Sequence, residues 1–188
     1  GIAAKTVNTG NFGLFAIISG GVVRNLTFDN AFINASDGSN IGLLAGSIEY
    51  SKITNIKFLM KSNLAIYSSG SFKATVPNGT RSYIVGSNAD SVGALAGQII
   101  GSIVNDVNFN IGQNYAIEIG ASNNAGLLAG TISGDDSIIE GIEIQGKNGW
   151  LFVGTGDVEA AYAGGLVGTV EDGAVVSAIK VNSDVNMF

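Results

Sequence analysis

Apolar and polar residues alternate along this chain in short stretches, and the stretches return in the same order five times. Alternation with a period of two is typical of β-strands, because successive strand side chains point to opposite faces, and no segment shows the helical period. Each repeat opens with a short apolar phrase that is rich in glycine. Its copies read Gly13-Leu14-Phe15-Ala16-Ile17, Gly42-Leu43-Leu44-Ala45-Gly46, Gly93-Ala94-Leu95-Ala96-Gly97, Gly126-Leu127-Leu128-Ala129-Gly130 and Gly164-Gly165-Leu166-Val167-Gly168.

The centre of each phrase predicts the buried face of a first strand. Residues two and four positions apart lie on one side of a strand, so a large apolar residue followed by another four positions later marks the core. The central residues are Phe15, Leu44, Leu95, Leu128 and Leu166, and the later ones are Ile48, Ile99, Ile132 and Val170. The flanking glycines are expected to face inward as well, where a larger side chain would crowd the next segment.

A second segment in each repeat breaks its alternation at one position, and the break predicts a corner or a bulge. Two apolar residues lie three positions apart there, and the segment then ends in an apolar, polar, apolar triplet. Asn, Asp and Gly tolerate the left-handed backbone that a corner requires, so Ala178 departs from the preference. The residues at the break are Asn25, Asn55, Asp106, Gly141 and Ala178, and the outward polar residues of the triplet are Thr27, Lys57, Asn108, Glu143 and Lys180.

A third, looser apolar stretch follows in most repeats and completes a prediction of three strands per turn. The stretches are Ala31-Phe32-Ile33, Leu64-Ala65-Ile66, Tyr115–Ile119 and Trp150–Val153. The residues between Lys61 and Asp90 form a longer excursion, in which Val76-Pro77-Asn78-Gly79-Thr80 is a turn signal. We expect a protruding hairpin or loop there.

Together these patterns predict an all-β fold, a parallel β-solenoid (β-helix) of about five coils that forms a single domain over residues 1–188. Units that repeat in this way cannot each bury a core and must stack on one another. An antiparallel β-sandwich or barrel is the alternative. It accounts for the short strands, but not for the return of the same phrase at the start of each unit.

Composition excludes several classes of function. The net charge is −6 and the nine basic residues are scattered, whereas nucleic-acid binding needs clustered basic residues to neutralise phosphates. No apolar run approaches the ~20 residues that span a bilayer. Cysteine and histidine are both absent, which excludes disulfides, most zinc sites and nucleophile–histidine catalysis. Because the chain starts at Gly1 rather than Met, it is interpreted as a piece of a longer protein.

The phrase and its following segment resemble the GLUG repeat. Gly164-Gly165-Leu166-Val167-Gly168 is the closest copy, and Lys52-Ile53-Thr54-Asn55-Ile56 resembles the second half of that repeat. The resemblance extends from about Gly13 to Val181 and departs from the family pattern at Ile17, where a closing glycine is expected. GLUG repeats occur in large bacterial secreted and cell-surface proteins, including adhesin-like ones. The resemblance therefore implies a passive stalk or a binding scaffold.

Two groups of residues are candidates for a catalytic or binding site, but we interpret both as structural. Carboxylates in equivalent turns of neighbouring coils would suit a glycan-cleaving enzyme or a divalent cation, but Asp is also favoured in turns for its local hydrogen bonds. Trp150 and Phe152 would suit a sugar-stacking platform, although aromatic residues more often fill a core. The carboxylates are Asp135, Asp136, Glu171 and Asp172. No catalytic residue, metal ligand or cofactor is predicted.

An apolar outer strip is the most specific prediction about an interaction surface. If Leu44 and its equivalents point inward, their neighbours in the phrase point outward, and most of these neighbours are small and apolar. Such a strip usually marks a contact. It is covered either by residues 61–90 or the rest of the parent protein, or else by a protein partner or neighbouring copies, as in a filament. The strip comprises Ile41, Leu43, Ala45, Val92, Ala94, Ala96, Ala125, Leu127, Ala129, Ala163 and Val167.

The sequence thus favours a non-catalytic structural or adhesive segment of a secreted or surface-attached protein, located at the cell surface or outside the cell. Its stacked strands would form a stiff scaffold, and its partners would be proteins. The alternative is a glycan-binding or glycan-cleaving β-helix domain, with a surface glycan as the partner.

Overall fold

The protein is built from β-strands that wind into five stacked coils. The structure, a computed structural model, describes residues 10–29, 31, 33, 38–60, 81–84, 89–113, 115–119, 123–153, 161–182 and 184–187. Every element within these residues is a strand. The first coil contains β1 (Asn11–Phe12), β2 (Phe15–Ser19) and β3 (Val22–Asp29), and the second contains β4 (Gly38–Gly42), β5 (Ala45–Glu49), β6 (Lys52–Met60) and β7 (Arg81–Ile84).

The later coils repeat the order of the second coil. The third contains β8 (Ala89–Gly93), β9 (Ala96–Ile100), β10 (Ile103–Ile111) and β11 (Tyr115–Ile119). The fourth contains β12 (Asn124–Gly126), β13 (Ala129–Ser133), β14 (Ile138–Gly146) and β15 (Gly149–Val153). The fifth contains β16 (Tyr162–Gly164), β17 (Val167–Val170), β18 (Val175–Val176), β19 (Ile179–Val181) and β20 (Val185–Met187).

The strands of successive coils pair into four sheets that run along the stack. Sheet A joins β1, β4, β8, β12 and β16, and sheet B joins β2, β5, β9, β13 and β17. Sheet C joins β3, β6, β10 and β14 with β18 and β19, and sheet D joins β7, β11, β15 and β20. Every pairing between these strands is parallel. The parallel β-solenoid of five coils is therefore confirmed, and the antiparallel alternative is wrong.

The second, third and fourth coils each contain four strands rather than the predicted three, because the glycine-bounded phrase is not one strand. In the fifth coil the sheet C strand is divided into β18 and β19. The chain bends at Leu43 and Leu44, between β4 and β5, and it bends at the matching place in the later coils. Both leucines are buried. Alternation between two faces holds only along a continuous strand, so the bend lets consecutive side chains turn to the same interior.

Glycines allow sheets A and B to approach closely on both sides of this bend. A Cβ atom at Gly42, the opening glycine of its phrase, would lie 2.7 Å from the carbonyl oxygen of Leu95 in the following coil. One at Gly97, a closing glycine, would lie 2.5 Å from the amide nitrogen of Ile41 and 2.6 Å from the Cβ of Asn40, both in the preceding coil. The opening glycine therefore leaves room for the next coil, and the closing glycine leaves room for the preceding one.

The first coil has a bend that is one residue shorter than the others. Phe12 pairs with Ile41 and Phe15 pairs with Ala45, so two residues lie between the paired positions of the first coil and three between those of the second. Phe15 is therefore the counterpart of Ala45, and the prediction that it matches Leu44 is wrong.

The shorter bend also changes which residue of the first coil corresponds to the closing glycine of the other coils. Because Phe15 pairs with Ala45 and Ile17 pairs with Ser47, the residue in the place of Gly46 is Ala16. The predicted departure from the repeat pattern at Ile17 is thus corrected to a departure at Ala16. Ala16 is exposed, as is expected for a residue of the first described coil.

The predicted corner or bulge in the second segment is confirmed as a position of left-handed backbone in all five copies. The residue at the break has a left-handed backbone in each coil, with φ between 52° and 65°. The side chains form hydrogen bonds between coils at this corner: Asn55 Nδ2 donates to Asn25 Oδ1 at 2.8 Å. Ala178 adopts the same conformation, with φ of 52°, although its side chain is a poor match for it. Backbone pairing with the fourth coil therefore overrides the local preference of alanine.

The core lies between the sheets and follows the axis of the stack. Leu44, Leu95 and Leu128 are fully buried, as predicted, and so are the isoleucines four residues later. Phe28, Phe58 and Phe109 form an aromatic column in sheet C, where their rings are stacked with centroids 5.0 Å and 4.8 Å apart. Leu166 and Val170 in the fifth coil are less buried.

A ladder of buried serines links the coils between sheets B and C. The backbone N–H of Ser51 donates to Ser102 Oγ at 3.0 Å, and that of Ser102 donates to Ser137 Oγ at 3.3 Å. The Ser102 hydroxyl in turn donates to the carbonyl oxygen of Ile100 at 2.8 Å. Gly21 completes the ladder in the first coil by donating its N–H to Ser51 Oγ at 3.0 Å. Each hydroxyl thus satisfies backbone groups that the turn would otherwise bury without partners.

The described part of the predicted insertion belongs to the stack. Arg81–Ile84 pairs with β11 in sheet D, and Ala89–Gly93 pairs with β4 in sheet A. The sheet D strand of the second coil is therefore Arg81–Ile84. The turn signal around Pro77 and the predicted strand Leu64-Ala65-Ile66 lie outside the described residues, so the protruding hairpin or loop stays a prediction.

Candidate functional site

The predicted apolar strip is not at the surface of the molecule. Nine of its residues are at most 3% exposed: Ile41, Leu43, Ala45, Val92, Ala94, Ala96, Ala125, Leu127 and Ala129. In the fifth coil Ala163 is exposed and Val167 is half-buried. The prediction of an outward orientation is wrong because the bend at Leu43 and Leu44 interrupts the alternation on which it depends. Most of the strip is part of the core, and a lateral contact has to involve other residues.

A different apolar surface runs along the stack at the start of sheet C. One exposed residue from each coil forms this outer column, and the residues pair in register in the order Val22, Lys52, Ile103, Ile138 and Val175. Tyr50 is also exposed and its ring lies against Gly101, where a Cβ atom would be 2.8 Å from the ring carbons. Four apolar side chains of the column therefore face solvent along the axis of the solenoid.

The outer column has a signal in the sequence. Each of its residues directly precedes the first apolar residue of the second segment that packs on the core, as Ile103 precedes Val104 and Ile138 precedes Ile139. Two adjacent apolar residues in one continuous strand point to opposite faces, so one of them must face away from the core. The outer column can therefore be predicted from these adjacent apolar residues, but not from the glycine-bounded phrase that precedes them.

A row of polar side chains lies on the outer face of sheet C. Lys180 Nζ donates to Glu143 Oε1 at 2.9 Å, and Asn108 Nδ2 donates to Glu143 Oε2 at 2.9 Å. Gln145 Nε2 donates to Asn108 Oδ1 at 3.0 Å. The hydrogen bond from Lys180 is the main cause that holds the pKa of Glu143 below its usual range, and partial burial opposes it. Glu143 is thus held as a carboxylate, which does not suit it to act as a general acid.

The four candidate carboxylates lie in neighbouring turns, as predicted. Gly173 follows Glu171 and Asp172 in the fifth coil, and a Cβ atom at Gly173 would meet Asp135 Oδ1 of the fourth coil. Asp135, Asp136, Glu171 and Asp172 are all exposed to solvent. Among the described residues, no three acidic or other ligating side chains are grouped to hold a metal ion.

The candidate sugar-stacking residues are placed only by their backbone. Trp150 and Phe152 belong to β15, where they pair with Ala116 and Glu118 of β11. This backbone pairing places both residues in sheet D. The side chains themselves are outside the part of the chain that the structure describes. The platform therefore stays a prediction.

Large apolar side chains are exposed at the two ends of the stack. In the interior coils the equivalent side chains are covered by a coil on each side. Ile48, Ile99 and Ile132, for example, are buried in the same column that ends at the exposed Val170. Each end therefore presents an apolar edge. Apart from Val22 and Val175 of the outer column, the exposed residues are Leu14, Phe15 and Ile17 in the first coil, and Tyr162, Val170, Ile179, Val181 and Met187 in the fifth.

Comparison of the chain with protein-family models, with curated proteins and with solved structures finds no match. Within the described residues, no helix has the length and apolar character needed to cross a membrane. The outer column, the polar row of sheet C and the two ends are thus the candidate contact surfaces of the described residues.

Proposed function

We propose that this chain is a non-catalytic structural segment of a secreted or surface-attached protein, in which a stiff β-solenoid offers contact surfaces to other proteins. The observation that carries the proposal is the unbroken parallel register of sheets A and B through all five coils. The resemblance of its phrase to the GLUG repeat of bacterial cell-surface proteins supports the same function and a location at the cell surface or outside the cell.

Stiffness follows from the way in which neighbouring coils are bonded. Each interior coil is held to the next by backbone hydrogen bonds in four sheets, and by the serine ladder at one corner. Bending the stack would stretch the bonds of the sheet on its outer side while compressing the close-packed core on its inner side. A segment of this kind keeps its two ends at a fixed distance.

The outer column supplies the lateral contact surface of the proposed scaffold. Its apolar residues Val22, Ile103, Ile138 and Val175 are exposed in a line, with the polar residues of sheet C beside them. An apolar row with a polar surround is the usual composition of a protein contact. This column takes the place of the buried phrase residues as the candidate for a protein partner.

Distances between spin labels would test the proposed stiffness. The chain has no cysteine, so Val22→Cys and Val175→Cys would introduce the only two attachment points. The two residues are 66% and 50% exposed and are separated by four steps along one column. Four steps of about 4.8 Å give a backbone separation of about 19 Å. We expect a single distance distribution that is no wider than the flexibility of the labels themselves.

The matched control is the same labelled chain in denaturant, which should give a broad distribution at longer distances. A broad or bimodal distribution for the folded chain would contradict a stiff scaffold. A second comparison, with the labels at Val22 and Ile103, should give about half the separation, since two steps rather than four lie between them.

Turnover on a panel of polysaccharides would test the absence of catalysis in this proposal. We expect no new reducing ends or unsaturated products. Products that disappear when Asp135 and Glu171 are replaced by their amides would instead establish a glycan-cleaving enzyme. Glycan binding without turnover that is lost on Trp150→Ala would establish the carbohydrate-binding alternative.

A further inference from the structure

The turn between sheets C and D in the fourth coil contains an asparagine that is followed by a glycine. Asn148 is exposed and has a left-handed backbone with φ of 51°, and Gly149 begins β15. Among the described residues, Asn148 is the one asparagine that glycine follows. Asparagine is chemically least stable in front of glycine, because no side chain hinders attack of the next backbone nitrogen on the side-chain amide carbon.

The reaction at such a pair converts the side-chain amide into a carboxylate. The Gly149 nitrogen loses its proton and bonds to Cγ of Asn148, and the bond from Cγ to the amide nitrogen breaks with release of ammonia. Water then opens the succinimide ring at either of its carbonyl carbons. One product is aspartate, with the original backbone. The other is isoaspartate, in which the main chain runs through Cβ and Cγ and is one atom longer.

The fold keeps the attacking nitrogen from reacting. Gly149 is buried, and its N–H donates to the backbone carbonyl oxygen of Asp184 in the fifth coil at 3.1 Å. On the side of the third coil, a Cβ atom at Gly149 would lie 2.9 Å from Cγ2 of Ile111, so the backbone has little room to turn. Attack requires a nitrogen that has lost its proton and points at Cγ of Asn148. The folded chain opposes both, because the proton is held in a hydrogen bond and the peptide is fixed between two coils.

We propose that Asn148 is a site of spontaneous deamidation that the contact between the fourth and fifth coils keeps closed. The reaction proceeds when the pairing of Gly149 with Val185 opens and releases the nitrogen. The substrate is the chain's own peptide and the co-reactant is water. Deamidation at Asn148 therefore records how often this contact has opened, and it does not depend on the scaffold function.

Isoaspartate at this position would prevent the contact from closing again. The turn between Gly146 and Gly149 contains only Lys147 and Asn148. Gly149 pairs with the fifth coil and Trp150 pairs with both the third and the fifth, so the register of β15 is fixed on both sides. One additional main-chain atom in so short a turn displaces β15 from that register. Aspartate leaves the backbone unchanged and accepts the left-handed conformation.

Peptide mapping of the aged chain measures the modification directly. Trypsin releases residues 148–180, in which Asn148 is the only asparagine or glutamine, so a gain in mass of this peptide reports this site alone. We expect the folded chain to deamidate at Asn148 at least about tenfold more slowly than the same chain in denaturant at equal pH and temperature, because attack needs local opening. Equal rates in the two conditions, or no reaction in denaturant, would overturn the proposal.

Two substitutions in β20 and beside it separate the contact from the local sequence. Val185→Asp opens the contact, because it places a carboxylate where Val185 packs on the core beside Gly146. We expect its rate of deamidation to rise toward that of the denatured chain. Asp184→Ala is the matched control and should react at the wild-type rate, since the Asp184 side chain is exposed and the accepting backbone oxygen remains. Equal rates in the two variants would contradict closure by this contact.

Hydrogen exchange tests the closure in the wild-type chain, without any substitution. Exchange of the Gly149 amide and deamidation of Asn148 both begin with loss of the same proton, so the contact should slow both by the same factor to within about threefold. The isoaspartate chain, separated by chromatography, should lose protection at Gly149, whereas Asn148→Asp should retain it. Strong protection of this amide in a chain that deamidates as fast as in denaturant would overturn the proposal.

Discussion

Single residues decide where the backbone of this solenoid can turn and how closely its sheets approach. Closing glycines such as Gly97 lie where any side chain would overlap the preceding coil. At the corner of sheet C the backbone is left-handed in every coil, and Asn, Asp and Gly accept it with little strain, whereas Ala178 does not. The first case is decided by contacts with another coil, and the second by local backbone geometry.

Gly97→Ala tests the close approach of sheets A and B. The new Cβ atom would overlap the backbone of Ile41 and the side chain of Asn40, so we expect the free energy of unfolding to fall by about 1–3 kcal/mol. Denaturant unfolding gives this value. Gly10→Ala is the control, since a Cβ atom there has no heavy atom within 4 Å. Equal midpoints for the two variants would contradict the steric role of the closing glycine.

Ala178→Gly tests the strain at the corner of the fifth coil. Glycine adopts φ of 52° without the steric cost that alanine has, and part of the gain is lost to the greater freedom of the unfolded chain. We expect an increase of about 0.5–1 kcal/mol in the free energy of unfolding. Ala163→Gly, at a strand residue without a positive φ, should be destabilising instead. A loss of stability on Ala178→Gly would show that the corner is not strained.

At the scale of elements, side chains connect strands that are far apart in the sequence. The serine ladder joins the turns between sheets B and C, and the polar row joins β10, β14 and β19 on the outer face of sheet C. The serine ladder and the polar row differ in burial. Ser102 is enclosed, so its bonds have no substitute from water, whereas Lys180 and its bond to Glu143 are exposed to solvent and to salt.

Ser102→Ala removes one rung of the buried ladder. It leaves the Ser51 N–H and the Ile100 carbonyl oxygen without their partner, and we expect the free energy of unfolding to fall by about 1–3 kcal/mol. Ser177→Ala is the control, because that side chain is exposed. Both values come from the same denaturant titration. A change in Ser102→Ala no larger than that of the control would mean that the hydroxyl does not support the turn.

The pKa of Glu143 gives a prediction for the dependence of stability on pH. Its pKa is lower in the folded chain than in the unfolded chain, chiefly through the hydrogen bond from Lys180, so its contribution is present above the unfolded pKa. That contribution is lost as the pH falls through the folded pKa. Lys180→Met should therefore lower stability at about pH 7, and the difference from wild type should shrink as the pH falls through the folded pKa of Glu143.

Carboxyl NMR titration checks the same point directly, since Lys180→Met should move the pKa of Glu143 upward. Lys147→Met serves as the control, because Lys147 is exposed and is not a cause of the shift at Glu143. High salt should reduce the effect in the wild-type chain. A pKa of Glu143 that is equal in the two variants would rule out Lys180 as its main cause.

At the scale of the whole molecule, the stack behaves as a line of units that contact only their neighbours. An interior coil is bonded on both sides, whereas the first and fifth described coils are bonded on one side. In such a protein the interfaces between units carry much of the stability. The apolar edges of the end coils follow from the same arrangement.

Hydrogen exchange should therefore vary along the chain with position in the stack. Amides of β10 and β6 in the interior coils should exchange at least about tenfold more slowly than those of β18 and β19 in the fifth coil. The terminal unit can open without disturbing the rest, whereas an interior coil opens only when both of its interfaces break. Uniform protection from β3 to β19 would show instead that the solenoid opens as a single unit.

Much of this architecture follows from patterns that stay constant between copies. The left-handed corner can be read from Asn25, Asn55 and Asp106, because few residues accept that backbone. The buried leucines and isoleucines can be read from their spacing. The serine ladder leaves a weaker signal, since Ser51, Ser102 and Ser137 are polar residues in turns and only the fold shows that they are enclosed.

The sequence by itself determined the parallel solenoid, its five coils and the residues at its corners, because each depends on local geometry that returns in every copy. Only the tertiary structure decided which side of the glycine-bounded phrase is buried. The bend at Leu43 and Leu44 ends one strand and begins another, so the side chains before and after it share one interior. The tertiary structure likewise decided the register of Ala16 and the exposure of the outer column. These features depend on which coil lies above and below a residue, and those neighbours are some 30 to 50 residues away in the chain.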